Sequence, residues 1–424
     1  MAGALHAAPP AAIRTVHVEY RLFHDLHEMD GAWSAIYVAS DGKVYIGLAH
    51  HRAGGHLVCY NPRNDEMRDL GDLTLLTGES ESRRGPQSKI HTRFGEGKDG
   101  RLYFATHGGF WWGYSRFGTK EGYPGAHWMA YDPKTNRTED FGIGMPNEGM
   151  NSGAYDPVFN RIYGMTHPRG HFACFDVAKR KTVDFGRVNN WESICRTLAI
   201  DDQGNVYGTF GEGQIFKLDP RTDELSELSV RLPIRRKGIS LGRDYDKSET
   251  GWRSVVWDPE TRQFFGVEES ASILFSFDPK AGKDGEVRTL GQLCVAGFEN
   301  LREMPFATLS LALGKGRKLY YAPATTEFDY GFASRGLSET HILRHDLGTG
   351  KTDDLGVMKL DKGPRIIGIS GTDVAADGTI YYLGAVEVTP EAGKPLLAGG
   401  KLMNTYYRMA LIIYKPVAQK ASGQ

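Results

Sequence analysis

The chain has 424 residues, 40% of them hydrophobic and 24% charged, with 53 glycines. Its 51 basic and 52 acidic side chains leave a formal net charge of −1, so no broad cationic face marks a nucleic-acid or membrane-surface partner. No apolar run of about eighteen residues is present to form a membrane-spanning helix. Cys59, Cys174, Cys195 and Cys294 are too few and too scattered for a disulfide framework and read as small core residues.

Residues 1–12 are rich in Ala and Pro and predict a flexible N-terminal segment. They lack the basic and apolar regions of a signal peptide, which leaves open a cytoplasmic protein or an exported one already processed. From Ile13 to Phe23 (IRTVHVEYRLF) polar and apolar residues alternate as in a strand. A turn-plus-strand motif then recurs seven times: DGKVYIGL at Tyr45, DGRLYFAT at Tyr103, NRIYGMT at Tyr163, GNVYGTF at Tyr207, TRQFFGV at Phe264, GRKLYYAP at Tyr320 and DGTIYYLG at Tyr381. A second motif falls between the copies, as in CYNPRNDEMRDLG at Tyr60 and AYDPKTNRTEDFG at Tyr131. It ends with IIYKP at Tyr414, close to the C-terminus.

Each unit reads as four short strands joined by turns of Asp-Gly, Asn and Pro. Such a sheet cannot bury both faces alone, and radial stacking completes its core. The expectation is an all-β, seven-bladed β-propeller over residues 13–416, with a flexible tail at 417–424. The seventh unit lacks its last strand, and the N-terminal strand is expected to fill the gap and close the ring.

Within each unit the innermost strand runs down from one face, here the top, and the second strand returns to it. The long insertions predicted as top-face loops are His107–His127, Pro323–Glu339, Val386–Asn404, Thr74–Lys89, Ser229–Trp252 and Gly291–Phe306. Long loops on a rigid scaffold are where binding concentrates. At the top ends of the inner strands stand His91, Asn151, Arg196 and Arg253, and at those of the second strands His50, His107, His167, Glu212 and Glu268. A mouth of His and Arg suits an anionic ligand. Trp111 and Trp112, in the first long loop, offer flat faces for sugar rings or pin that loop to the body. His50, His107 and His167, with the two Glu residues, leave open a bound Ca²⁺ or other divalent ion. Pro168 and Gly170 argue against a helical pair of His167 and His171.

The stretch KIHTRFGEGKDGRLYFATHGG resembles the seven-bladed propeller polysaccharide lyases, which include ulvan lyases and lyases acting on rhamnose–glucuronate linkages. By that resemblance His91 and His107 are the catalytic pair, Tyr155 in NSGAYDPVFNRIYG is the catalytic tyrosine, and Arg169 in THPRGHF contacts substrate. The His pair is only 16 residues apart (107 − 91), closer than in ulvan lyases. The implied reaction is β-elimination at a uronic acid, glucuronate beside rhamnose, giving an unsaturated uronyl product. It needs a base for the C5 proton, an acid for the leaving oxygen and a cation on the carboxylate. His91, His107 and Tyr155 are the expected acid–base groups, with Arg169, Arg196, Arg253, Asn151, His167, Trp111 and Trp112 binding substrate. The expected partner is an acidic polysaccharide or oligosaccharide, taken by a secreted or periplasmic monomer that engages neither nucleic acid nor membrane. An oligogalacturonate lyase, a metal-dependent lactonase-type hydrolase and a non-catalytic carbohydrate-binding propeller are the alternatives.

Overall fold

The computed structural model describes residues 14–79, 85–108, 122–188, 195–210, 213–233, 251–269, 271–297, 308–323, 339–387, 397–398, 401–402 and 407–416. The two expected flexible ends lie outside this set, as does most of every expected long loop except Thr74–Lys89, which is described apart from residues 80–84.

Strand β1 (Thr15–Leu22) is followed by a sheet of β2 (Gly31–Val38), β3 (Val44–Ala49), β4 (His56–Asn61) and β5 (Glu66–Asp72). A single turn of helix, α1 (Leu73–Leu76), leads to the second sheet. That sheet holds β6 (Lys89–Ile90), β7 (Gly95–Glu96), β8 (Leu102–His107), β9 (Gly125–Asp132) and β10 (Arg137–Pro146). The third is β11 (Gly149–Asp156), β12 (Arg161–His167), β13 (His171–Asp176) and β14 (Lys181–Arg187). The fourth is β15 (Ala199–Ile200), β16 (Val206–Phe210), β17 (Gln214–Asp219) and β18 (Glu224–Arg231). The fifth is β19 (Trp252–Asp258), β20 (Gln263–Glu268), β21 (Ile273–Asp278) and β22 (Glu286–Gln292).

The remaining strands are β23 (Ala312–Gly314), β24 (Lys318–Tyr321), β25 (His341–Asp346), β26 (Lys351–Leu360), β27 (Ile366–Val374), β28 (Ile380–Glu387), the small β29 (Leu397–Ala398) and β30 (Lys401–Leu402), and β31 (Tyr407–Tyr414). Here the expected seven separate sheets are not found. Five sheets and the two-stranded β29-β30 ribbon stand apart, and eight strands join in the order β23-β24-β25-β26-β1-β31-β28-β27. The cause is β1, which pairs in parallel with β26 (Thr15 opposite Val357) and antiparallel with β31 (Glu19 opposite Ile413).

The sheets pack face to face. The middle strands β3, β8 and β12 are buried along their whole length, whereas β5 and β22 are largely open. Burial on both faces explains why the recurrent Tyr strands are continuous apolar runs rather than alternating ones. One core cluster joins Tyr103, Trp128, Tyr155, Ile162 and Phe175 of the second and third sheets. Another joins Ile36, Ile46 and Leu48 of the first sheet to Tyr381, Leu383 and Leu411 near the C-terminus. All four cysteines are free thiols.

A repeated polar device uses histidines well away from the inner strands. In His56–Asp69, His127–Asp140, His171–Asp184 and His341–Asp354 the imidazole Nδ1 lies 2.9–3.0 Å from a carboxylate thirteen residues on. The same carboxylates accept from the backbone N–H of Gly71, Gly142, Gly186 and Gly356. These glycines have φ of 136, 92, 92 and 120°, where only Gly is unstrained, and the pairing register slips beside each of them. Four of the fourteen histidines thus pin bulges in outer strands.

Candidate functional site

Strand register sets the two ends of the sheets. Gly31 lies opposite Ala49, Lys89 opposite His107, Gly149 opposite His167, and Trp252 opposite Glu268. These pairs mark the end remote from the short turns that join the first two strands of each sheet. At this end a line of rings crosses three sheets. The Trp33 ring centroid lies 4.5 Å from that of His91 and 5.3 Å from that of His51. His91 is 5.2 Å from His107, and His107 is 5.6 Å from His167. The Lys89 ammonium sits over the Trp33 ring, 4.5 Å from its centroid, as a cation–π pair.

His91 Nδ1 lies 3.0 Å from the Asn151 carbonyl. A carbonyl only accepts, so Nδ1 carries the proton and Nε2 keeps its lone pair. Among the described residues, His91 Nε2, His107 Nδ1, Asn151 Nδ2 and Arg196 Nε are buried without a hydrogen-bond partner. Unpaired buried polar atoms are rare in a native protein, and here four of them belong to one cluster.

Burial, then Lys89 and Arg196, hold His91 well below the ordinary imidazole range. His107 is also held well below that range, by burial, Lys89 and its two neighbouring histidines. Burial, then Arg196 and Lys89, push His167 down to about 3. All three rings are therefore neutral at pH 7. Lys89 is lowered to about 7 by burial, with Arg196 adding to the effect and Asp30 opposing it. Arg196 weighs on Lys89, His91, His107, His167 and Arg253, which places its charge centrally. It makes no ion pair among the described residues. Arg253, by contrast, is paired with Glu269 at 3.2 Å.

Two expected residues fall elsewhere. Tyr155 lies at the turn end of β11, opposite Ile162, six residues from Gly149 and so roughly 20 Å from the rings at about 3.3 Å per residue. Its hydroxyl donates to Asn160 Oδ1 at 2.8 Å, and its ring stacks on Tyr103 at 4.4 Å. Tyr60 to Asp65 and Tyr131 to Asn136 are the same link, each ending on a residue of positive φ. Burial, with Asp99 and Asp156, pushes the Tyr155 phenol up to about 12. Tyr155 locks a turn and is corrected from catalytic to structural. Arg169 is at the ring end but its side chain is 64% exposed, and Glu148 takes its guanidinium at 3.4 Å.

The candidate metal ligands that the sequence left open are not brought together among the described residues. His50 Nδ1 accepts from the Arg52 N–H, Glu268 accepts from the Ala271 N–H, and His171 is held by Asp184. Among the described residues no three His, Cys, Asp or Glu side chains converge as ligands. Neutral imidazoles flanked by Lys89 and Arg196 do not fit Ca²⁺, which takes oxygen ligands. Trp111, Trp112 and Glu212 lie outside the described residues.

The chain is a β-propeller. Solved structures similar to it share the fold at low identity. The WD40 repeats of RRP9 align over 96% of this propeller and 99% of that chain, with TM-score 0.54 and 13% identity. The extracellular domain of a hybrid two-component system from B. thetaiotaomicron gives TM-score 0.55 and 13% identity over 93% of the propeller. This propeller spans 39% of that chain. A periplasmic gluconolactonase of Pseudomonas aeruginosa gives TM-score 0.51 and 12% identity, covering 77% of the propeller and 85% of that chain. No family model and no curated protein matches the propeller. No helix among its described residues is long and apolar enough to cross a membrane.

Lys89, Trp33, His51 and Asp30 were not singled out from sequence, although a signal for two of them was present. In Lys-Ile-His, the two-residue period of a strand puts Lys89 on the side of His91. Trp33 holds the matching place on the first sheet's inner strand. Asp30 and His51 are chain-distant, and only the pairing of β2 with β3 joins them.

Proposed function

We propose that this propeller is a polysaccharide lyase that cleaves at C4 of a uronic acid, glucuronate beside rhamnose being the favoured linkage, by β-elimination. The observation that carries the reading is Arg196, a cation with no ion pair among the described residues, set among buried neutral imidazoles. On this reading Arg196 and Asn151 Nδ2 take the substrate carboxylate, which makes the C5 proton more acidic and stabilises the charge that develops. A neutral imidazole removes that proton. Its electron pair becomes the C4=C5 double bond, the C4–O bond breaks, and the Lys89 ammonium gives a proton to the leaving oxygen. The eight-stranded sheet then counts as two blades joined by β1, so that seven blades surround the site and the N-terminal strand closes the ring. A polymeric substrate of this kind places the protein outside the cytoplasm, acting as a monomer.

The test is ultraviolet absorbance of the unsaturated uronyl product across a panel of uronate polysaccharides, alongside calorimetry with uronate oligosaccharides. Product from a glucuronate polymer, with affinity lowered at least 10-fold in Arg196→Ala, is the expected result. If no uronate polymer yields product, the reading fails whether or not one binds.

A further inference from the structure

Elimination needs one imidazole that gains stability on accepting a proton, and the row His91, His107 and His167 is poorly built for that. The charges that weigh on these rings are Lys89, Arg196 and, for His91, Arg253, all positive. An imidazolium formed there meets only repulsion from them. His51 differs. Its Nδ1 lies 2.7 Å from Asp30 Oδ1, and its backbone N–H points to the same carboxylate. The Asp30 side chain is buried at 7% exposure and the His51 ring is mostly covered at 13%. The carboxylate is itself held in place, since the Asp30 backbone N–H donates to Ala49 and its carbonyl accepts from the Tyr407 hydroxyl at 3.0 Å.

We infer that His51, oriented by Asp30, is the proton-accepting base of this site, and that Asp30 is its positioning residue. The inference rests on the lyase reading above and assigns a role that the reading leaves open. The geometry has two parts. His51 shares the Trp33 ring with Lys89 and His91, so base, ammonium and imidazole row meet on one side chain. A carboxylate on Nδ1 fixes the tautomer with its lone pair at Nε2 and stabilises the imidazolium that forms, the arrangement that activates a general base. Among the described residues, the charged and titratable groups whose influence reaches His51 are Lys89, Asp30 and His50. Burial raises the Asp30 carboxyl, but His51 outweighs it and holds Asp30 below the usual range, and burial with Lys89 keeps His51 neutral. The pair therefore starts as carboxylate and neutral ring. In the step, the C5 proton passes to Nε2, the C5–H electrons form the C4=C5 bond, and the C4–O bond breaks. Lys89 protonates the departing oxygen. His51 then loses its proton to solvent and Lys89 regains one, so the cycle closes without any oxidant or reductant.

Chemical rescue tests the assignment. The full chain is compared with His51→Gly, His51→Gln, Asp30→Asn and His91→Gly, using product absorbance and exchange of the C5 hydrogen in deuterated water. His51→Gly is expected to lose at least 100-fold in kcat and in C5 exchange with KM changed less than 3-fold, and added imidazole restores both. Asp30→Asn is expected to lower kcat at least 10-fold at unchanged KM. His51→Gln, which keeps the volume, serves if the glycine variant does not fold, and it loses both readouts without rescue. Wild-type kcat in a folded His51 variant, or rescue by imidazole of His91→Gly instead, overturns the inference while the lyase reading stands. Absence of product from the unmodified protein on every uronate overturns that reading, and this inference with it.

Discussion

At the scale of single residues, the site is assembled by close approaches as much as by charges. A Cβ built on Gly149 would collide with His107 Nδ1, so this glycine leaves room for the imidazole beside β11. Gly149→Ala is expected to push His107 out of the row and lower turnover at least 10-fold with little loss of melting temperature, as kinetics and thermal denaturation on the same sample would reveal. Lys89 supplies a pH signature. Burial brings its ammonium down to about 7, and as pH rises through that value the proton needed by the leaving oxygen is lost. Turnover should therefore fall on the alkaline side from about pH 7, and a pH–rate profile that stays flat to pH 9 would remove Lys89 from that role. Tyr155 shows the opposite case. Its motif matched, yet the side chain closes a turn with Asn160. Tyr155→Phe should keep catalysis, lose one turn hydrogen bond, and cost about 1 kcal/mol of stability in denaturant unfolding.

At the scale of elements, the His–Asp links across outer strands explain why His content is a poor guide to the site. His127 is the strongest of them, with Asp140 on Nδ1 at 2.9 Å and Glu79 on Nε2 at 3.0 Å. Burial opposes its protonation, but the two carboxylates prevail and raise it to about 9. Because the folded value is raised, the stabilisation is complete below about 6.5, the unfolded value, and is lost as pH rises through about 9. Thermal melts of the unmodified protein and His127→Gln should differ by on the order of 2 kcal/mol at pH 6 and converge near pH 10. The segment clamped by Glu79 also carries Gln87, whose side chain bonds Glu79 and the Gly125 carbonyl. The clamp thus helps hold the approach to Lys89 and His91. Equal stability of the two proteins at pH 6 would show that the clamp contributes nothing.

At the scale of the whole molecule, β1 is hydrogen-bonded along both edges and binds β26 to β31. Val18 and Phe23, on this strand and just past its end, are buried. Removing residues through Leu22 would expose two strand edges and should lower the melting temperature by at least 10 °C and promote association, visible by scanning calorimetry and light scattering. An unchanged melting temperature would mean that the strands around β26 and β31 cohere without it.

The amino-acid sequence by itself determined the repeating strands, because burial on both faces requires apolar runs at regular spacing and tight turns require Gly, Asn and Asp. It also placed His91, His107, His167, Asn151, Arg196 and Arg253 at one end of their strands, since strand direction follows from the order of the turns. Tertiary structure alone decided which of these residues share a cluster and which are already neutralised. Glu269 takes Arg253 and Glu148 takes Arg169, pairings that local periodicity does not encode. Only the packing of the first sheet against the second brings Trp33, Lys89 and the Asp30–His51 pair together. The joining of two sheets through β1 likewise rests on contacts between residues more than 300 positions apart. Strand patterns record which face a side chain takes, whereas the charges that meet across the propeller depend on how the sheets stand against one another.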